Sequence, residues 1–111
     1  MEMTVKNRAG AVILELQGKF DIETALEFES RLNQVVADQP KVVALNFGQV
    51  SYVDSTGTAA LIKSTNLVRG YGGELHLYNL KDGVLNVFKL SQLENMFSIL
   101  TLEEFDGKYP E

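Results

Sequence analysis

The strongest constraint on this chain is a strand pattern, a helix pattern and a second strand pattern packed into one short span. Val42 to Phe47 (VVALNF) is nearly continuous in apolar, β-favouring residues, the pattern of a strand covered on both faces. From about Thr56 to Arg69, Ala60, Leu61, Ser64, Thr65 and Val68 fall on one helical stripe. Gly70-Tyr71-Gly72-Gly73 supplies the helix stop, and Glu74 to Asn79 (ELHLYN) reads as the next strand. Strand, helix and strand in this order form a βαβ unit, so the two strands are expected parallel with a right-handed crossover.

The flanking segments extend the same architecture. Met3 to Asn7 predicts a short strand, Arg8-Ala9-Gly10 a turn, and Ala11 to Gln17 a second strand. In that strand Val12, Leu14 and Leu16 alternate with Glu15 and Gln17, which predicts one buried face; Gly18 breaks the pattern. Ile22 to Asp38 has a helical period through Ala25, Phe28, Leu32, Val35 and Val36, with Asp21 as its N-cap and Pro40 as its stop. Asp82 to Leu90 predicts a further helix with a stripe through Val84, Leu85, Phe88 and Leu90. Leu93 to Leu100 then predicts a turn and a last short strand. The expected fold class is α/β: one domain with a mixed sheet of four to six strands flanked by three or four helices. Its core is expected over about residues 3–100, with a short C-terminal tail over 101–111.

Composition narrows the function classes. At 111 residues the chain is expected to form one domain, and its 45% apolar and 23% charged residues are ordinary for a packed protein. There is no cysteine, which removes disulfides, thiolate metal sites and thiol catalysis. The net charge is −5, and the Lys and Arg residues are scattered singly, which argues against nucleic acid as a partner. No apolar run is long enough for a membrane span and no signal-peptide pattern opens the chain, so a cytoplasmic location without membrane insertion is expected.

Signals for catalysis are thin. The phosphate-binding and dinucleotide-binding glycine motifs are missing, and so is Gly-x-Ser-x-Gly. His76 is the lone histidine and lies inside a predicted strand, where a surface or locally hydrogen-bonded role is expected. Asp21, Glu23 and Glu27 read as a solvated helix start, and no metal or cofactor is expected.

One segment stands apart: Tyr52-Val53-Asp54-Ser55-Thr56-Gly57-Thr58-Ala59-Ala60, between a buried strand and a helix. Helix capping by Asp54 or Ser55 accounts for part of it, at about 1 kcal/mol. The same geometry puts a serine hydroxyl outward at a helix start, and the small residues Gly57, Ala59 and Ala60 leave backbone open to another protein's surface. Phosphorylation there would add ~1.5 to 2 negative charges. A partner surface shaped for a neutral hydroxyl would then face a desolvated dianion, and each ~1.4 kcal/mol lost is tenfold in affinity.

These residues resemble a known family. Tyr52-Val53-Asp54-Ser55-Thr56-Gly57 is similar to the signature of STAS domains, specifically bacterial anti-sigma factor antagonists. Gly18-Lys19-Phe20-Asp21 with Thr24-Ala25, Gly72-Gly73-Glu74-Leu75, and Val84 with Val87-Phe88, Leu90 and Leu93 resemble further motifs of that family, in order and over about residues 3–100. The resemblance implies a mixed sheet with helices mainly on one side. It implies that Ser55 is phosphorylated by an anti-sigma factor that is itself a serine kinase. The unphosphorylated protein binds that kinase and frees a sigma factor; the phosphorylated protein lets go, and a serine phosphatase resets it. Asp21, Asp54, Thr56, Gly57 and Thr58 are implied to form the partner-binding surface, and the protein itself would not be an enzyme. The chain departs from the family's pattern at Thr58-Ala59-Ala60, where Leu-Gly and aliphatic residues are usual. The alternative is a STAS subunit that is never phosphorylated, docked on a lipid-transport ATPase or in a signalling complex. An enzyme using Ser55 as nucleophile is disfavoured because no base is placed for it.

Overall fold

The computed structural model describes residues 1–111. Strands β1 (Glu2–Arg8) and β2 (Ala11–Phe20) form an antiparallel hairpin whose turn places Ala9 and Gly10 at positive φ. Helix α1 (Ala25–Val36) crosses over to β3 (Val42–Val53), helix α2 (Ser55–Gly70) to β4 (Glu74–Tyr78), and helix α3 (Asp82–Leu90) leads through a short 3-10 turn to β5 (Ser98–Leu100). A last helix, α4 (Leu102–Lys108), follows. The sheet has five strands in the order β1-β2-β3-β4-β5, with β2 to β5 mutually parallel and β1 antiparallel at one edge. The mixed α/β architecture, the strand count and the parallel βαβ pair are as the sequence predicts.

Alternation along the strands divides the core in two. Leu14 and Leu16 of β2, Val43, Leu45 and Phe47 of β3, and Leu75 and Leu77 of β4 face α1, α2 and α3. The residues between them face the other way: Ile13, Ala44 and Tyr78 form a second cluster with Phe105 of α4. Register keeps that row aligned, because Ile13 pairs with Ala44 and Ala44 with His76. Three helices therefore cover one face and one helix covers part of the other. The expectation of a single buried face for β2 is corrected accordingly: Ala11 and Ile13 are as buried as Leu14 and Leu16.

The packed chain also runs past residue 100. The stretch read as a tail forms α4, and the fully buried Phe105 ring lies 3.8 Å from Tyr78, nearly parallel to it. Its helix start is a capping box, in which Glu104 N–H donates to Thr101 Oγ1 (3.0 Å) and Thr101 N–H to Glu104 Oε1 (2.8 Å). Arg8 holds the far end: Nε donates to the Tyr109 carbonyl (2.6 Å), and the guanidinium pairs with Asp106 and lies over the Phe105 ring.

Two helix readings need adjustment. α1 begins at Ala25, not Ile22, because Asp21 builds a turn ahead of it: its Oδ1 accepts from Glu23 N–H (3.0 Å) and Thr24 N–H (3.2 Å), and its carbonyl from Ala25 N–H (2.9 Å). In α3, Val84 and Phe88 are buried as expected, but Leu90 is 86% exposed and does not belong to the packed stripe. No helix is long and apolar enough to cross a membrane.

Candidate functional site

β3 does not end at Phe47. It continues through Gly48 to Val53, so Ser51, Tyr52 and Val53 are strand and the change to helix falls at Asp54. The extension is held by the end of β2, since Lys19 pairs with Tyr52 and Phe20 with Val53, after register shifts on either side of Gln17-Gly18. Gly18 takes φ +107, a left-handed conformation suited to glycine. The two strands thus finish side by side, and Asp54 N–H donates to the Phe20 carbonyl (3.1 Å). Asp21 follows Phe20 directly, so Asp21 and Asp54-Ser55 leave the sheet together at the C-terminal ends of adjacent parallel strands. That is where open α/β sheets hold their functional groups.

Asp54 is the N-cap of α2. Its Oδ1 accepts from Gly57 N–H (2.9 Å), and its carbonyl accepts from both Thr58 N–H and Thr58 Oγ1–H (2.9 Å each). With the cap on Asp54, the Ser55 hydroxyl is not used for capping. Ser55 is the first helical residue and is exposed, while Asp54 and Thr56 are half-buried. The backbone N–H groups of Ser55 and Thr56 belong to the first helical turn, where the intrahelical ladder has no acceptor for them.

Gly57 and Thr58 point the other way. A Cβ at Gly57 would fall against the Phe20 carbonyl oxygen and 2.6 Å from the Phe20 ring. The small residue admits a neighbouring strand of the same chain, which corrects the expectation that Gly57 and Ala60 leave room for a partner: both are buried, and of the three small residues only Ala59 is exposed. Thr58 is only 9% exposed and its hydroxyl is taken by Asp54, so the polar group that departs from the family pattern is satisfied within the turn.

Beside Ser55 runs an open groove of about 340 Å³, lined by Val53, Thr58, Ala59 and Ile62 on one side and by Val87 and Leu93 on the other. The contribution of α3 is absent from the sequence reading. Its signal was available: Val87 lies off the buried Val84–Phe88 stripe and is 41% exposed. Tyr52, at 50%, near the end of β3, and Ile22 and Leu26, at 69% and 76%, in the turn after β2 and the start of α1, are also exposed. Nowhere do three or more His, Asp or Glu side chains converge as metal ligands would.

His76 lies away from this site, on the α4 side of the sheet. It is 5% exposed, with Nδ1 2.6 Å from Ser98 Oγ, Nε2 3.4 Å from the Tyr109 hydroxyl, and Glu74 3.5 Å away. It is a locally hydrogen-bonded histidine within the packing.

A mixed five-stranded sheet of this order, with a serine exposed at the head of the helix after its central strand, defines the fold class. The chain belongs to the STAS domain family, whose model matches residues 2–105. Its relatives include the anti-sigma-B factor antagonist of Bacillus subtilis, 25% identical over 94% of each chain. The fold is shared with an anti-sigma factor antagonist from Mycobacterium paratuberculosis, at a TM-score of 0.86 and 20% identity over 99% of this chain and 94% of that one. It is also shared with the Bacillus cell-fate determinant SpoIIAA in its phosphorylated form, at 0.70 and 18% over 96% and 98%.

Proposed function

We propose that this protein is an anti-sigma factor antagonist whose docking is switched at Ser55. The unphosphorylated chain binds an anti-sigma factor that is also a serine kinase, and so releases a sigma factor. The kinase phosphorylates Ser55, the complex separates, and a serine phosphatase restores the hydroxyl. The observation that carries this reading is the division of labour at the start of α2: Asp54 caps the helix, which leaves the Ser55 hydroxyl exposed beside a largely apolar groove. Kinship with the anti-sigma-B factor antagonist supports the partner class.

The switch follows from charge. Before modification, a partner covers Ser55, Thr56 and the groove, with Asp21 and Asp54 at its edge, while Gly57 and Thr58 set the shape of the turn from within. A phosphate on Ser55 places ~1.5 to 2 negative charges within that contact. The N–H groups of the first turn favour the anion in the free protein. Neighbouring Asp54 carries like charge, and a partner without a matching cation must desolvate the dianion unpaired, at several kcal/mol.

The test uses the purified chain, its kinase and ATP. Intact mass is expected to rise by one phosphate, located at Ser55 by peptide mapping. Ser55→Ala is expected to abolish that uptake while still binding the kinase, and Ser55→Asp to weaken binding by tenfold or more. Phosphate retained on Ser55→Ala, or equal affinity for all three chains, overturns the reading.

A further inference from the structure

The two edges of the sheet are not alike. β5 spans three residues and runs directly into α4, so it offers little for another strand to pair with. β1 spans seven residues, pairs with β2 without a register shift, and has no neighbour on its outer side. Natural proteins usually blunt such an edge with proline, a bulge or a covering element. β1 has none of these, and what blunts it is the charge of Glu2, Lys6 and Arg8 alone.

The order of side chains along β1 is self-complementary. Antiparallel pairing of two copies about Thr4 sets Glu2 opposite the second copy's Lys6, Met3 opposite its Val5, and Thr4 opposite its Thr4. Directly opposed residues of antiparallel strands share a face and interact, and opposite charges, apolar pairs and Thr–Thr pairs are all favourable. The faces agree as well. Met3 and Val5 alternate onto the side of Leu14 and Leu16, where Met3 packs on the main core and Val5 is left 40% exposed. Centring the pairing on Lys6 would oppose two like charges. Centring it on Val5 would oppose Met3 to Asn7 and rely on Arg8, whose guanidinium is already engaged by Asp106 and the Tyr109 carbonyl. Lys6 itself holds only an exposed ion pair with Glu15 (3.0 Å), which is worth little and is readily exchanged.

We propose that β1 is a homodimerisation edge: two copies join antiparallel about Thr4, and two five-stranded sheets become one continuous sheet. The two-fold axis then runs through the sheet, so the two sets of α1, α2 and α3 lie on the same side. The C-terminal ends of the parallel strands point in opposite directions, and both copies of Ser55 stay accessible at opposite ends of the dimer. The proposal stands apart from the switch at Ser55 and survives its failure.

The absence of cysteine makes the test direct. In Thr4→Cys the two introduced thiols face each other across the axis; in Asn7→Cys, on the same exposed strand, they do not. With oxidised glutathione, Thr4→Cys is expected to give a disulfide-linked dimer on a non-reducing gel at least tenfold faster than Asn7→Cys. In sedimentation equilibrium the unmodified chain is expected to dimerise, Glu2→Lys to raise the dissociation constant about tenfold, and Glu2→Lys with Lys6→Glu to restore it. A chain that stays monomeric at hundreds of micromolar, equal cross-linking rates, or a dimer indifferent to Glu2→Lys overturns the proposal.

Discussion

At the scale of single residues, Gly57 and His76 show how position assigns a role that residue type leaves open. Gly57 occupies the point where the start of α2 crosses the end of β2, and the obstacle to a larger residue is partly the backbone carbonyl of Phe20, which cannot rotate away. Gly57→Ala is therefore expected to destabilise by about 1–3 kcal/mol, the usual penalty for an overpacked site. A urea titration checks this, and a midpoint unchanged from the parent would show that β2 and α2 can separate freely. His76 is held neutral by burial, which pushes its pKa below the ordinary value, while nearby Glu74 partly opposes that shift and Lys108 adds to it. The unfolded chain, with an ordinary histidine of pKa about 6.5, then binds more protons than the folded one. Stability from this group is fully present above about pH 6.5 and declines as the pH falls through the lower folded value. Urea midpoints between pH 7.5 and 5.5 are expected to fall in the parent and to flatten in His76→Gln. A parallel decline in both would assign the effect to carboxylates instead.

At the scale of elements, α4 decides how the sheet is covered. It is seven residues long, too short to persist alone, and it is fixed by its capping box, by Arg8 and by Phe105 seated on Tyr78. Phe105→Ala is expected to cost about 3–5 kcal/mol, since a fully buried ring leaves a cavity as well as losing its transfer energy. Thermal unfolding checks it, and a loss under 1 kcal/mol would mean that α4 contributes little to the fold. Helix α2 behaves differently. Its inner stripe of Ala60, Leu61, Ser64, Thr65 and Val68 is wholly buried, which anchors the exposed first turn on a rigid support. A switch residue at such a position can change charge without moving its helix.

At the scale of the molecule, the parallel strands bring two segments far apart in sequence, Asp21 and Asp54-Ser55, to one end of the sheet, while β1 lies along an edge and α4 on the opposite face from α1, α2 and α3. The proposed modification at Ser55, the proposed self-association through β1 and the packing of α4 thus use different parts of the surface. Ser55→Asp is accordingly expected to alter binding and leave the fold intact. Its far-UV circular dichroism should superpose on that of the parent, and its melting temperature should move by no more than about 2–4 °C, as for other exposed substitutions. A collapse of the melting transition would mean that the charge acts by unfolding α2 and not at the interface.

The α/β class, the order of the elements as far as β5 and the seat of Ser55 were legible in the residues themselves. Period-2 and period-3.6 patterns are local properties, and Asp-Ser-Thr-Gly after a buried strand marks a helix start by its own chemistry. Tertiary structure decided the rest. Asp54, not Ser55, makes the cap; Gly57 serves Phe20 within the chain; α3 forms the second wall of the groove; and residues 101–109, which read as a tail despite the Thr101–Glu104 capping signature, close the second face over Tyr78. The last three depend on contacts between residues distant in sequence, and the cap falls on Asp54 because pairing with the end of β2 carries β3 to Val53. Periodicity reports which side of an element is apolar, and only the folded sheet determines what that side meets.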